Sequence, residues 1–218
     1  MEFIKKPQEI ENGSMNIIES EMLSPTALTH GELSVVKRVI HTTADFEYEA
    51  LIRFKGEVFS SAFRAIEKKC KVYCDTNMIS VGVNRINLEK LGMKVVNYVH
   101  DKDVVLEAKK REVTRSIVAM EKAVKDEDIH IFLIGNAPTA LLTLLEFCHT
   151  YKKSPALIVG VPVGFVGAKE SKDRLYQSDH THITVLGRKG GSTVAVAIMN
   201  ALMKIYLEEN QCQSYVSE

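Results

Sequence analysis

The 218 residues contain no tryptophan, five prolines and four cysteines. No stretch is rich in Pro, Gly or Ser, none is of low complexity, and nothing repeats at a fixed period, which excludes solenoids and tethered modules. One domain spanning 1–218 is therefore expected. An excess of either charge is also missing, since 28 Lys+Arg match 28 Asp+Glu. No overall field draws the chain to nucleic acid or to a membrane surface. No run approaches the roughly 18 apolar residues of a spanning helix. Met1–Pro7 has no apolar core for a secretory signal, so a cytoplasmic location is expected. The cysteines (Cys70, Cys74, Cys148, Cys212) are sparse, and the three residues between Cys70 and Cys74 match the zinc spacings poorly. Reduced structural thiols are the expectation. His180-Thr181-His182 also lacks a completing ligand, because Asp179 faces the other way. The residues point to no metal and no cofactor.

What is present is an ordinary globular composition, 45% hydrophobic and 26% charged. A chain of this length can bury about 70% of its unfolded surface. From about residue 70 onward, apolar or β-branched runs at 72–74, 95–99, 129–134, 156–161 and 182–186 alternate with helix-like stretches. Those stretches fall near 76–91, 103–125, 137–151, 167–178 and 191–209. Five strands separated by crossover-length segments predict a three-layer α/β/α fold, with a mainly parallel, Rossmann-like five-stranded sheet. In the 103–125 stretch, Leu106, Val113, Ile117, Met120 and Val124 fall on about one helical face. Residues 1–70 read as mostly helical and packed on that sheet. Thr29-His30-Gly31-Glu32 is a capping-box pattern, and an amphipathic stretch runs from Gly56 through Phe59, Phe63 and Ile66.

Ligands of open α/β sheets sit beyond the strand carboxyl ends. Three small-residue loops fall there: Gly-Asn-Ala-Pro-Thr-Ala at 135–140, Pro-Val-Gly-Phe-Val-Gly-Ala at 162–168, and Gly-Arg-Lys-Gly-Gly-Ser at 187–192. Asn136 stands where an N-cap is expected. With Thr139 and the N–H groups of the helix start it could hold a carboxylate or phosphate, or it could simply cap a helix. The 187–192 loop lacks phosphate-loop spacing, and no Gly-x-Gly-x-x-Gly follows a strand. A non-nucleotide anion is the functional reading of that loop, and a tight turn is the plain one.

The segment before Thr42 carries a second candidate. Leu33, Val35, Val36, Val39 and Ile40 cover one side of a helix, and Ser34, Lys37, Arg38 and His41 the other. Arg38 and His41 are three apart, so they can touch one ligand together. A histidine in the last turn is favoured in its protonated form by the helix dipole, which suits a general acid. The same spacing also describes a solvated polar face. Arg115 points away from the apolar stripe of its own segment, either into solvent or into a neighbouring subunit.

Taken together, these segments resemble the precorrin-8X methylmutase family. The matching text is Arg38–Asp45, Asp75-Thr76-Asn77-Met78 with Gly82, Thr114-Arg115-Ser116, Gly135–Leu141, Pro162–Ala168 with Glu170-Ser171-Lys172, and Gly187–Ser192. The likeness runs from about residue 8 to residue 203. It implies an isomerase of vitamin B12 synthesis that moves a methyl group from C-11 to C-12 of a corrin precursor, precorrin-8X or cobalt-precorrin-8. The product is hydrogenobyrinic or cobyrinic acid. The resemblance places His41 on the catalytic histidine, and Ser14 and Arg38 on substrate-contacting positions. It places Arg115 on an arginine serving a site built at a homodimer interface. A carrier of tetrapyrroles without chemistry, and a phosphate-binding α/β enzyme, are the competing expectations.

Overall fold

The computed structural model describes residues 6–214, with side chains to residue 210. Met1–Lys5, on which most of the signal-peptide reading rests, and the Cys212 side chain lie outside them. Helix α1 (Pro7–Glu21) leads through a 3-10 turn (Pro25–Ala27) to α2 (His30–Thr43) and the short α3 (Glu47–Leu51). Strand β1 (Ile52–Lys55), α4 (Val58–Glu67), β2 (Lys71–Cys74), α5 (Asn77–Gly82), α6 (Arg85–Leu91) and β3 (Lys94–Val96) follow. Then come α7 (Lys102–Lys110), α8 (Arg115–Lys125), β4 (Ile129–Ile134), α9 (Pro138–Tyr151), β5 (Leu157–Gly160), α10 (Ala168–Gln177), β6 (His182–Val185) and α11 (Ser192–Ser214).

The sheet order is β1-β6-β5-β4-β2-β3. Every pairing is parallel except β1 with β6. Helices cover both faces, as the alternation of buried residues requires. On one face Val72, Ile131, Leu133, Val159 and Ile183 pack with Val39 of α2, Ile66 of α4 and Ile198 of α11. On the other, Tyr73, Phe132, Ile134 and Ile158 pack with Met120 of α8, Leu141 and Leu144 of α9 and Leu175 of α10. The mainly parallel three-layer architecture is the one expected, but the sheet has six strands and not five. The sixth is β1, at an edge, in the stretch read as mostly helical.

Another expectation is corrected at 103–125. The stretch is two helices, broken at residues 111–114, where Glu112 adopts a left-handed φ of 53°. Leu106 is therefore exposed, and α7 buries Val104 and Ala108 instead. Elsewhere the local signals hold. In α2 the Thr29 side chain accepts the Glu32 N–H, and the Glu32 carboxylate accepts the Thr29 N–H at 2.9 Å. Such a box is worth about 1 kcal/mol.

Numbered among themselves in chain order, the five parallel strands run 2-1-3-4-5 across the sheet. The order reverses between β2 and β4, and the crevice beyond their carboxyl ends is where ligands of such sheets bind. The residues that follow β2 and β4 are Asp75 and Gly135-Asn136-Ala137.

Candidate active site

The crevice between β2 and β4 is closed by the protein's own carboxylate. Asp75 accepts the backbone N–H groups of Gly135 at 3.0 Å and of Asn136 and Ala137 at 2.9 Å each. These are the donors that the sequence offered to a ligand anion. Asp75 is 7% exposed, and burial pushes its pKa up while the three N–H groups pull it back. Asn136 is not the N-cap of α9, since that position is Ala137, without a side-chain cap. The side chains of Asn136 and Thr139 are exposed at the rim.

The neighbouring loops are packed against each other as tightly. A Cβ on Gly135 would lie 2.7 Å from the Ser192 Cα, and one on Gly190, at φ 146°, would lie 2.2 Å from the Val161 carbonyl oxygen. Only glycine fits either place. Thr76 and Ser192 share a hydroxyl hydrogen bond of 3.0 Å. The cations of the 187–192 loop are engaged as well. Lys189 pairs with Asp45 and Glu47, and Arg188 lies 5.5 Å from the centre of the Phe165 ring. The fully buried Lys172 ammonium donates to the Lys189 carbonyl at 2.6 Å, and burial pulls its pKa down to about 8. This loop is thus cross-linked to its surroundings, and its lysine is paired within the chain.

The open space lies to one side, on the face covered by α2 and α11. A cleft of about 590 Å³ runs between α1, α2, α5 and α11. Arg38 and Thr42 line it from α2, Gln8 and Glu11 from α1, Met78 from α5, and Thr193, Asn200 and Lys204 from α11. The polar face of α2 is therefore not simply solvated. Helix α1 lies along it, pairing Glu19 with Lys37 and Glu11 with Arg38. Lys204 reaches the same Glu11 carboxylate at 3.1 Å. Arg38 and, to a smaller extent, Lys204 hold the Glu11 carboxyl down at about 2 against the opposing effect of burial.

His41 is exposed in the last turn of α2. It is not one of the residues lining the cleft, but Thr42 beside it and Arg38 one turn before it are. Ser14 is half-buried on α1, one turn beyond Glu11, and its hydroxyl donates to the Ile10 carbonyl at 2.9 Å. It too stands beside the lining. Arg115 is the first residue of α8 and is exposed. Helices α8 and α9 cover the opposite face of the sheet from α2 and α11. Ser14, Arg38 and His41 thus lie on α1 and α2 in one layer, Arg115 and Thr139 lie on α8 and α9 in the other, and Asn136 is in the loop between β4 and α9 at the sheet edge.

Sequence reasoning missed Glu11, Lys204 and Asp75 as parts of this region. Asp75 was visible only as one word of a motif, and its partners lie 60 to 62 residues away. Among the described residues, no three His, Cys, Asp or Glu side chains are grouped to hold a metal ion. His182 is buried on β6, with Nδ1 2.8 Å from the His180 carbonyl oxygen.

The model of the precorrin-8X methylmutase family matches residues 9–205. The chain belongs to that family. It is 43% identical over 197 residues to a cobalt-precorrin-8 methylmutase of Priestia megaterium, covering 90% of this chain and 87% of the relative. The cobalt-precorrin-8 methylmutase of Salmonella typhimurium is 40% identical, with 93% and 97% covered. A precorrin-8X methylmutase of Pseudomonas aeruginosa is 35% identical at the same coverages. Among solved structures, the precorrin-8X methylmutase of Thermus thermophilus superposes with a TM-score of 0.86 at 37% identity, over 93% of this chain and 97% of that one. The protein is accordingly an isomerase of the cobalamin-biosynthesis methylmutase type. No helix among the described residues is long and apolar enough to cross a membrane.

Proposed function

We propose that this chain moves the methyl group of cobalt-precorrin-8 from C-11 to C-12, giving cobyrinic acid. We further propose that the macrocycle is seated over the cleft between α1, α2 and α11. The observation that carries the seat is the cleft itself, with a guanidinium on its wall and an imidazole one turn along the same helix. The cobalt form is preferred because the relatives at 40% identity and above carry that substrate in their names. The metal ion belongs to the substrate. The chain acts as one domain over 1–218, in the cytoplasm.

The reaction is an isomerisation, so a proton lent to the conjugated ring must be returned within the same turnover. His41 is the group that lends it. Protonation near ring C redistributes charge as the methyl migrates, and a placed general acid supplies about 10²–10⁴-fold, roughly 3–5 kcal/mol of barrier. His41 is exposed in the last turn of α2. Its exposure leaves room for a flat ring to cover it. Arg38 receives one carboxylate arm, since a guanidinium fork fixes orientation as well as supplying energy. Ser14 contacts the substrate from α1.

Arg115 serves the site from the second subunit of a homodimer, and Asn136 and Thr139 contact other arms of the substrate. The supporting observation is that α8, which begins at Arg115, covers the opposite face of the sheet from α2, which carries His41. The test is His41→Ala. Turnover of cobalt-precorrin-8 is expected to fall about 10²-fold or more while binding, followed by the absorption spectrum, survives. Undiminished turnover would remove His41 from the mechanism.

A further inference from the structure

The cleft wall carries a carboxylate at the place where the proposed function puts a carboxylate of the substrate. Glu11 bridges Arg38 of α2 and Lys204 of α11. The charged residues lining the cleft are Glu11 and Glu208 against Arg38 and Lys204, so the charge of the lining is balanced. A polyanionic ligand entering it meets cations that are already paired. For its arm to reach Arg38, something must leave.

We propose that Glu11 is a placeholder: it occupies the Arg38–Lys204 seat in the empty enzyme and is exchanged for a carboxylate arm of the substrate. The proposal rests on the reading that a carboxylate arm docks at Arg38. Three observations favour exchange over a permanent three-membered bridge. Glu11 sits on α1, which is held to the rest of the chain mainly through α2 and buries Ile18 alone among its residues. Its own side chain is 33% exposed, so it can rotate into solvent without crossing a packed core. The Arg38 side chain is 22% exposed, which leaves little space for a second carboxylate beside the first. Exchange also has a physical use. Two crowded cations would repel each other and lose hydration in an empty cleft, and an internal carboxylate removes that cost until the ligand arrives. With its carboxyl held down at about 2 by Arg38 and Lys204, Glu11 is ionised throughout the neutral range. The consequence is weaker binding than the bare cations would give, and easier departure of the product.

The experiment compares wild type with Glu11→Gln, using two ligands: cobalt-precorrin-8, and a corrinoid whose side arms are amidated. An amide cannot replace an ionised carboxylate at the two cations, so it does not compete with Glu11. Glu11→Gln is expected to lower KM for the carboxylate substrate about tenfold, with the change on KM rather than kcat. The affinity for the amidated corrinoid should stay within about twofold. Glu11→Asp, which keeps the charge but shortens the reach, should fall between the two, and it serves if the glutamine variant folds poorly. A KM that rises or stays the same in Glu11→Gln would mean that Glu11 orients Arg38 instead, and would overturn the proposal. So would an equal shift for both ligands, which is what loosening of α1 alone would cause. Wild-type protein that neither binds nor isomerises cobalt-precorrin-8 would overturn the functional reading, and this proposal with it.

Discussion

The switch point between β2 and β4 and the cleft beside α2 both hold a carboxylate in contact with groups that attract anions, yet they treat it differently. At the switch point Asp75 is 7% exposed and bound by three fixed backbone donors from one loop. In the cleft Glu11 is one third exposed and bound by two long, flexible side chains from different helices. Fixed donors around a buried acceptor make a joint of the fold, whereas mobile donors around a half-exposed one make a seat that can change occupants. The general rule for open α/β sheets places ligands at the switch point. Here the chain has filled that point itself, and the usable space opens one layer away.

The sharpest way to break this comparison is to remove the carboxylate at each place. Asp75→Ala leaves three N–H groups without acceptors in a buried loop, and should lower stability by about 2–4 kcal/mol. Urea denaturation measures it, and KM of the folded fraction should change little. A variant with unchanged stability and weakened substrate binding would make the switch point a ligand site after all. Arg38→Ala is the converse. It should raise KM about tenfold, equivalent to roughly 1.4 kcal/mol of lost binding, while costing no more than about 1 kcal/mol of stability, because its ion pair is partly wet.

The smallest effect concerns acid. The Glu11 pKa is lowered from 4.5 to about 2, so the bridge contributes stability that is fully present above pH 4.5 and is lost as pH falls towards 2. The stability gap between wild type and Glu11→Gln, about 0.5–1 kcal/mol for a half-exposed pair, should therefore close over that window. A gap that persists at pH 2 would mean that Glu11 acts through packing.

Much of the frame was legible because its signals are local. The capping box at Thr29–Glu32 and the apolar side of α2 need no information from elsewhere, and the five parallel strands announce themselves as short apolar runs between helices. The edge strand β1 was not legible. Ile52-Arg53-Phe54-Lys55 alternates for four residues only, between two helical windows, and its pairing with β6 joins residues 127 to 133 apart. The break at 111–114 carries no glycine or proline to signal it, and Glu112 takes the left-handed turn regardless. At the site, Arg38 and His41 could be paired by helical spacing alone. Their carboxylate partner could not, because Glu11 meets Arg38 across 27 residues and Lys204 across 193. The capture of the α9 N-terminus by Asp75 was hidden for the same reason, so donors that looked available from sequence are taken in the fold.

A structure of the protein crystallised with its corrinoid product tests the central claim most directly. The account predicts the ring over the α1–α2–α11 cleft, one carboxylate arm on Arg38 in place of Glu11, and His41 within hydrogen-bond reach of ring C, with Asp75 still bound by its three backbone donors. A ring seated at the β2–β4 crevice with Asp75 displaced, and the Glu11–Arg38 pair intact, would contradict it.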